Sequence, residues 1–122
     1  LHAKITIPGK AAHSARPWQG INALYQAQPF IAHLARKKPQ TMCVHGLEFM
    51  EVESITYAQT SAGRTTVPEL FSCNVNLRFS PNKSIDEAWQ ALQSDYAALK
   101  IDGLTCTLTD AVPSGQIIET PF

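Results

Sequence analysis

Phe71-Ser72-Cys73-Asn74-Val75-Asn76-Leu77-Arg78-Phe79 alternates without a break: Phe71, Cys73, Val75, Leu77 and Phe79 fall on one side, and Ser72, Asn74, Asn76 and Arg78 on the other. A period of two sends the two sets to opposite faces of a strand, so one packed face and one polar face are expected. Just downstream, Ser84-Ile85-Asp86-Glu87 has the form of a capping box, in which serine and glutamate satisfy amide protons at a helix start. Ile85, Ala88, Trp89, Leu92, Tyr96 and Leu99 then recur at helical spacing, and Gly103 is expected to end that helix in a left-handed turn. Leu104, Cys106 and Leu108 alternate with Thr105, Thr107 and Thr109, which predicts another strand.

Upstream, residues 47–60 hold Phe49, Val52, Ile55, Tyr57 and Ala58 among polar residues, with a slip of the alternation near Met50 to Val52. This predicts a long strand bulged at that point, followed by turn chemistry from Ser61 to Pro68. From Gly20, the residues Ile21, Leu24, Tyr25, Gln28, Ile31 and Ala35 recur at intervals of three and four, with Arg36, Lys37 and Lys38 at the negative end of the helix they predict. Pro29 has no amide proton and its ring meets the Tyr25 carbonyl, so a kink or two shorter helices is expected. Ala3, Ile5 and Ile7 alternate with His2, Lys4 and Thr6 in a first strand that stops at Pro8-Gly9, and Lys10 to Gln19 is read as extended chain, then loop.

The order β-α-β-β-α-β, with every strand apolar on one side, predicts an α+β, ferredoxin-like domain over residues 1–110: a four-stranded antiparallel sheet with two helices on one face. The other face is left polar and open. Residues 111–122 carry two prolines and no period, and are expected to be a connector.

The 122 residues suit one domain, and 44% hydrophobic residues supply its core. Ten basic against ten acidic residues give no net charge, which argues against nucleic acid or an anionic membrane as partner. No apolar run approaches the roughly 20 residues of a membrane span, and no signal peptide is visible. Cys43, Cys73 and Cys106 form no C-x-x-C pair and are expected to be buried free thiols in a reducing compartment, which points to the cytoplasm. A start at Leu1 and a stop at Phe122 suggest a piece of a longer protein.

His2, His13, His33 and His45 show none of the local pairings that bind zinc, and Glu48, Glu51 and Glu53 read as a solvated strand edge. No metal site is therefore expected in this chain, and no nucleophile elbow, phosphate loop or dinucleotide fingerprint occurs.

Gly9-Lys10-Ala11-Ala12-His13-Ser14-Ala15-Arg16-Pro17-Trp18-Gln19-Gly20-Ile21-Asn22-Ala23 resembles the first strand-to-helix junction in the lid, or dimerisation, domain of the zinc-dependent metallopeptidase and deacylase family. That family includes succinyl-diaminopimelate desuccinylase, acetylornithine deacetylase, aminoacylase and carboxypeptidase G. Gly63 to Pro68 followed by Glu69 to Phe79 is similar to the family's glycine turn, Val-Pro pair and arginine-ended strand.

The resemblance implies that zinc and the general base sit in a separate catalytic domain, that this domain forms a homodimer, and that the substrate is a small N-acyl amino acid. It places His13 on the histidine that donates a hydrogen bond to the oxyanion formed as water attacks the amide, and Arg78 on the arginine that grips a substrate carboxylate. Thr65 takes a position where many members carry an asparagine that touches substrate, and a threonine reaches less far. Gly20 and Asn22 are expected to serve the start of the first helix. The fragment alone is expected to be inactive. Desuccinylase-type members are the nearest match, with acetylornithine deacetylase or a metallopeptidase as rivals within the family. A free-standing ferredoxin-like binding module is the alternative outside it. Away from these motifs, a histidine at a strand end is an ordinary surface residue and an arginine on a polar strand face a solvated charge.

Overall fold

A computed structural model describes residues 1–61 and 63–112. Its elements are β1 (His2–Pro8), β2 (Ala12–His13), α1 (Ala23–Gln26), α2 (Gln28–Arg36), β3 (Gln40–Val44), β4 (Leu47–Thr60), β5 (Thr66–Val67), β6 (Leu70–Arg78), α3 (Ile85–Ala97) and β7 (Thr105–Asp110). Five strands form one antiparallel sheet in the order β3-β4-β6-β1-β7, and β2 pairs with β5 in a short separate ladder. The ferredoxin-like order is present, with α1 and α2 in the place of the first helix.

The alternation drives this arrangement. Ala3, Ile5 and Ile7 of β1 and Phe71, Cys73 and Val75 of β6 are buried, and Ala23, Ala27, Phe30, Leu34, Ala88, Leu92 and Tyr96 of the helical segments close over them. Phe30 of α2 and Tyr96 of α3 meet edge to face with ring centroids 4.9 Å apart, joining the two helices within the core. Lys4 pairs with Asn74 and Thr107 across the sheet, and Thr6 with Ser72 and Thr105, giving the other face its polar character.

Four expectations need correction. The sheet has five strands, because β3 folds back on the first third of β4 through a turn at His45 (φ 51°) and Gly46 (φ 79°). A residue-glycine pair between two short extended segments is the hairpin signal for this turn. The bulge lies between Ile55 and Tyr57, while the slip near Met50 to Val52 marks where β4 changes partner from β3 to β6. Cys43 is exposed rather than buried. Finally, α3 ends at Ala97, and Gly103 (φ 73°) serves the next turn, where an added Cβ would lie 2.4 Å from the Pro8 ring.

Pro29 does divide the first helix, and it sits in the opening turn of α2, where a missing amide proton leaves no hydrogen bond unmade. The Asn22 side chain caps α1 by accepting from the Leu24 N–H at 2.9 Å, and the Ser84–Glu87 capping box opens α3 with both bonds present. Residues 111–122 were expected as a connector; from 113 onward they lie outside the described residues. No helix among the described residues is long and apolar enough to cross a membrane.

A polar network ties α2, α3 and β4 together at the edge of the core. Lys37 donates to Asp95 at 2.6 Å and to Glu53 at 3.0 Å, His33 lies 2.9 Å from Asp95, and the Tyr96 hydroxyl donates to Glu53. Burial pushes the Asp95 carboxyl up, but hydrogen bonds from Lys37 and His33 outweigh it and leave its pKa below the ordinary value. Glu51 is also held low, because the Ser80 N–H and Lys83 overcome its burial. A lowered folded-state pKa contributes stability that is complete above the unfolded-state value and lost as pH falls through the folded one. The melting temperature is therefore expected to drop below about pH 4. Lys37→Met is expected to lower it at neutral pH and to shrink the difference between pH 7 and about pH 3, measured by thermal unfolding monitored by circular dichroism.

Candidate functional site

The segment that carries His13 is a closed excursion between β1 and α1, and two glycines close its base. A Cβ at Gly9 would lie 2.2 Å from the Ile21 carbonyl oxygen and 2.7 Å from the Ala23 nitrogen, and one at Gly20 would lie 2.5 Å from the Lys10 oxygen. Only with both side chains absent do Lys10 and Ile21 exchange backbone hydrogen bonds, at 2.7 and 2.9 Å. Gly20, expected at the start of the first helix, instead closes the loop ahead of α1, and Asn22 alone caps that helix. Gly9 does more than stop β1: a glycine at each end of one loop is a signal of such a close approach. Gly9→Ala is expected to cost about 1–3 kcal/mol in stability, since the atoms it meets are backbone, and to lower activity of the full-length protein by displacing the loop. Denaturant unfolding and steady-state kinetics on the same preparation check this.

Within the loop, His13 faces Thr66 across the β2–β5 ladder, and the Ser14 N–H donates to the Thr65 carbonyl at 2.9 Å. His13 and Thr65 are therefore brought together. The His13 ring is exposed, and its Nδ1 accepts a hydrogen bond from the Ala15 N–H at 3.0 Å. An acceptor at Nδ1 places the proton of the neutral imidazole on Nε2. The backbone thereby selects the tautomer with an N–H donor at Nε2 of an exposed ring, a feature no residue pattern announces.

Arg78 is elsewhere. It ends β6 opposite Val52 of β4, is half-buried, and borders a hollow of about 230 Å³ with Leu1, His2, Asn76 and Asp110. The nine residues of β6 run from Leu70, on the His13 side, to Arg78. At a rise of roughly 3.3 Å per residue that is about 25 Å, so one small molecule does not touch His13 and Arg78 of the same chain.

Among the described residues no three His, Cys, Asp or Glu side chains are placed to hold a metal ion, and the Nδ1 of His13 is already occupied by the backbone. Cys73, buried under the helices, has its thiol pushed up to about 11 by burial and by neighbouring Cys106, which leaves it protonated and unsuited to nucleophilic or metal chemistry at neutral pH.

Comparison with known proteins follows the same outline. The model of the peptidase dimerisation domain, M20_dimer, matches residues 1–103. The succinyl-diaminopimelate desuccinylase of Corynebacterium glutamicum is 33% identical over 103 residues, which cover 84% of this chain and 27% of that protein. Among solved structures, the aminobenzoyl-glutamate utilization protein of Klebsiella pneumoniae superposes with a TM-score of 0.63 at 18% identity, over 98% of this chain and 33% of the other. A hydantoinase/carbamoylase family amidase of Burkholderia ambifaria gives 0.60 at 18% identity, over 92% and 28%. The two structures share the fold, and the chain spans about a quarter to a third of each of these proteins. With the family model matching residues 1–103, from β1 through α3, this chain belongs to the peptidase dimerisation domain family.

Proposed function

We propose that this domain is the lid and dimerisation domain of a zinc-dependent amide hydrolase of the desuccinylase type, cleaving a small N-acyl amino acid to a carboxylate and an amine. The observation that carries this reading is the state of His13: an exposed ring whose backbone partner at Nδ1 leaves an N–H at Nε2. Such a donor suits an oxygen that gains charge as water attacks an amide carbonyl, and costs no reorganisation at that moment. Arg78, a permanently charged planar fork, suits a substrate carboxylate, and Thr65 beside His13 can add a hydroxyl contact.

The distance between His13 and Arg78 supports a division of labour between two chains. In a twofold dimer, the His13 end of one sheet meets a site that holds the Arg78 end of the other. Two surfaces suit such pairing: from Val52 to Thr60 the edge of β4 opposite β6 has no strand partner among the described residues, and Leu24 and Tyr25 of α1, Ile31 of α2 and Ile21 just before them are exposed apolar side chains. Zinc polarises the carbonyl and activates water when bound, and its ligands would come from the rest of the full-length protein. The three free thiols support a cytoplasmic location.

Arg78→Ala in the full-length protein is expected to raise KM roughly 10- to 100-fold, the worth of a charged hydrogen-bonded pair, with a smaller effect on kcat. The reading as a whole is tested by assaying the zinc-loaded full-length protein against N-succinyl-diaminopimelate, N-acetylornithine and a dipeptide. Preferred cleavage of the succinyl substrate supports it. Preference for either of the others moves the protein to another activity of the family, and absence of hydrolysis favours a binding module.

A further inference from the structure

The loop from Gly9 to Gly20 and the segment from Gly63 to Val67 are joined by the β2–β5 ladder into the lobe that carries His13. Lys10, Arg16 and Arg64 lie on these two stretches, with no Asp or Glu among them. The whole chain balances ten basic against ten acidic residues, so three cations without a carboxylate make this lobe locally positive. Glu69, the nearest acidic residue in sequence, sits beyond Pro68, where its carbonyl accepts from the Gly9 N–H at the loop base.

Two of the cations are held close to His13 by the backbone. The Arg16 N–H donates to the His13 carbonyl at 2.9 Å, and Arg64 directly precedes Thr65, whose carbonyl accepts from the Ser14 N–H. Both side chains are exposed, and neither forms an ion pair among the described residues. Lys10 lies instead at the closed base of the loop, where it exchanges backbone hydrogen bonds with Ile21.

The proposed substrate supplies a use for this pair. An N-succinyl amino acid carries a carboxylate on each side of its scissile bond, one on the amino acid and one two methylenes from the carbonyl. On the reading above each site holds one Arg78, which takes one of them, and Arg78 stands about 25 Å from His13 along β6 of the same chain. The carboxylate near the scissile carbonyl falls to cations on the lobe that carries His13. We propose that Arg16 and Arg64 bind the terminal carboxylate of the acyl group and so select ω-carboxyacyl amides over acetyl amides. This rests on the reading of His13 as the oxyanion donor of an amide hydrolase. Guanidinium forks suit the task, because each presents paired N–H donors to the two oxygens of a carboxylate.

The test compares N-succinyl- and N-acetyl-diaminopimelate, which differ only in the acyl group, as substrates of the zinc-loaded full-length protein. In the double variant Arg16→Gln/Arg64→Gln, the ratio of kcat/KM for the succinyl to the acetyl substrate is expected to fall about 10- to 100-fold, the worth of charged hydrogen bonds to one carboxylate. Lysine at both positions keeps the charge and should recover part of the ratio. Lys10→Gln removes a cation from the same lobe and should leave the ratio within about twofold. A ratio unmoved by the double substitution would overturn the proposal. So would an equal fall in Lys10→Gln, which would reduce the arginines to a general attraction for anions. Calorimetric binding of succinate to the same proteins separates this claim from the one it rests on. A wild-type protein that cleaves neither amide, yet binds succinate at least about tenfold more tightly than the double variant does, sinks only the hydrolase reading. One that cleaves amides with a ratio blind to the arginines sinks only their role, and failure of both measurements sinks both.

Discussion

On the oxyanion role proposed for it, His13→Ala in the full-length protein is expected to lower kcat about 100- to 1,000-fold with little change in KM, the usual cost of removing one donor from such a site. The side chain is exposed, and its described bond is the one received from the Ala15 N–H, so the domain loses little by the change. A melting temperature within a few degrees of wild type should accompany the kinetic loss. His13→Gln, which keeps an N–H donor of similar reach, is expected to recover part of the rate. Full activity in His13→Ala would remove the histidine from the chemistry and leave the domain a purely structural role.

Phe30→Ala carries the largest expected effect on stability. Phe30 is fully buried, and its ring stands at 88° to that of Tyr96 where α2 and α3 meet. Truncation forfeits about 3–5 kcal/mol in transfer and cavity terms, with roughly a further 0.5–1.5 kcal/mol for the aromatic pair. Against a typical total of about 5–15 kcal/mol, a loss of that size leaves much of the domain unfolded at 37 °C. A lowered denaturant midpoint with unchanged slope would identify the effect as lost packing. A midpoint near wild type would show that the core closes without this contact.

The parts of this domain that were legible in its sequence are those in which a local pattern and the final packing agree. The β6 alternation, the Ser84–Glu87 box and the break at Pro29 each act within a few residues, and tertiary structure left them in place. The β3–β4 ribbon was missed because Gln40–Val44 has little periodicity of its own and is a strand only because β4 overshoots the sheet. The site divides in the same way. Motif likeness singled out His13, Thr65 and Arg78, but the nearness of the first two depends on the β2–β5 ladder, and the tautomer of His13 on one amide two residues away. The remoteness of Arg78 from them follows from the length and direction of β6, which become meaningful once the register is known.

The central claim is that His13 and Arg78 of one chain serve different active sites, and mixing two crippled enzymes tests it. Full-length His13→Ala and Arg78→Ala proteins, each impaired alone, are dissociated, combined in equal amounts and allowed to reassociate. If the two side chains come from different chains, each heterodimer contains one site with both groups intact and one with neither. Half of the dimers being mixed, about a quarter of the wild-type activity should return. If both groups act in one chain, every site in the mixture keeps a defect, and activity that stays at the level of the separate variants would contradict the account.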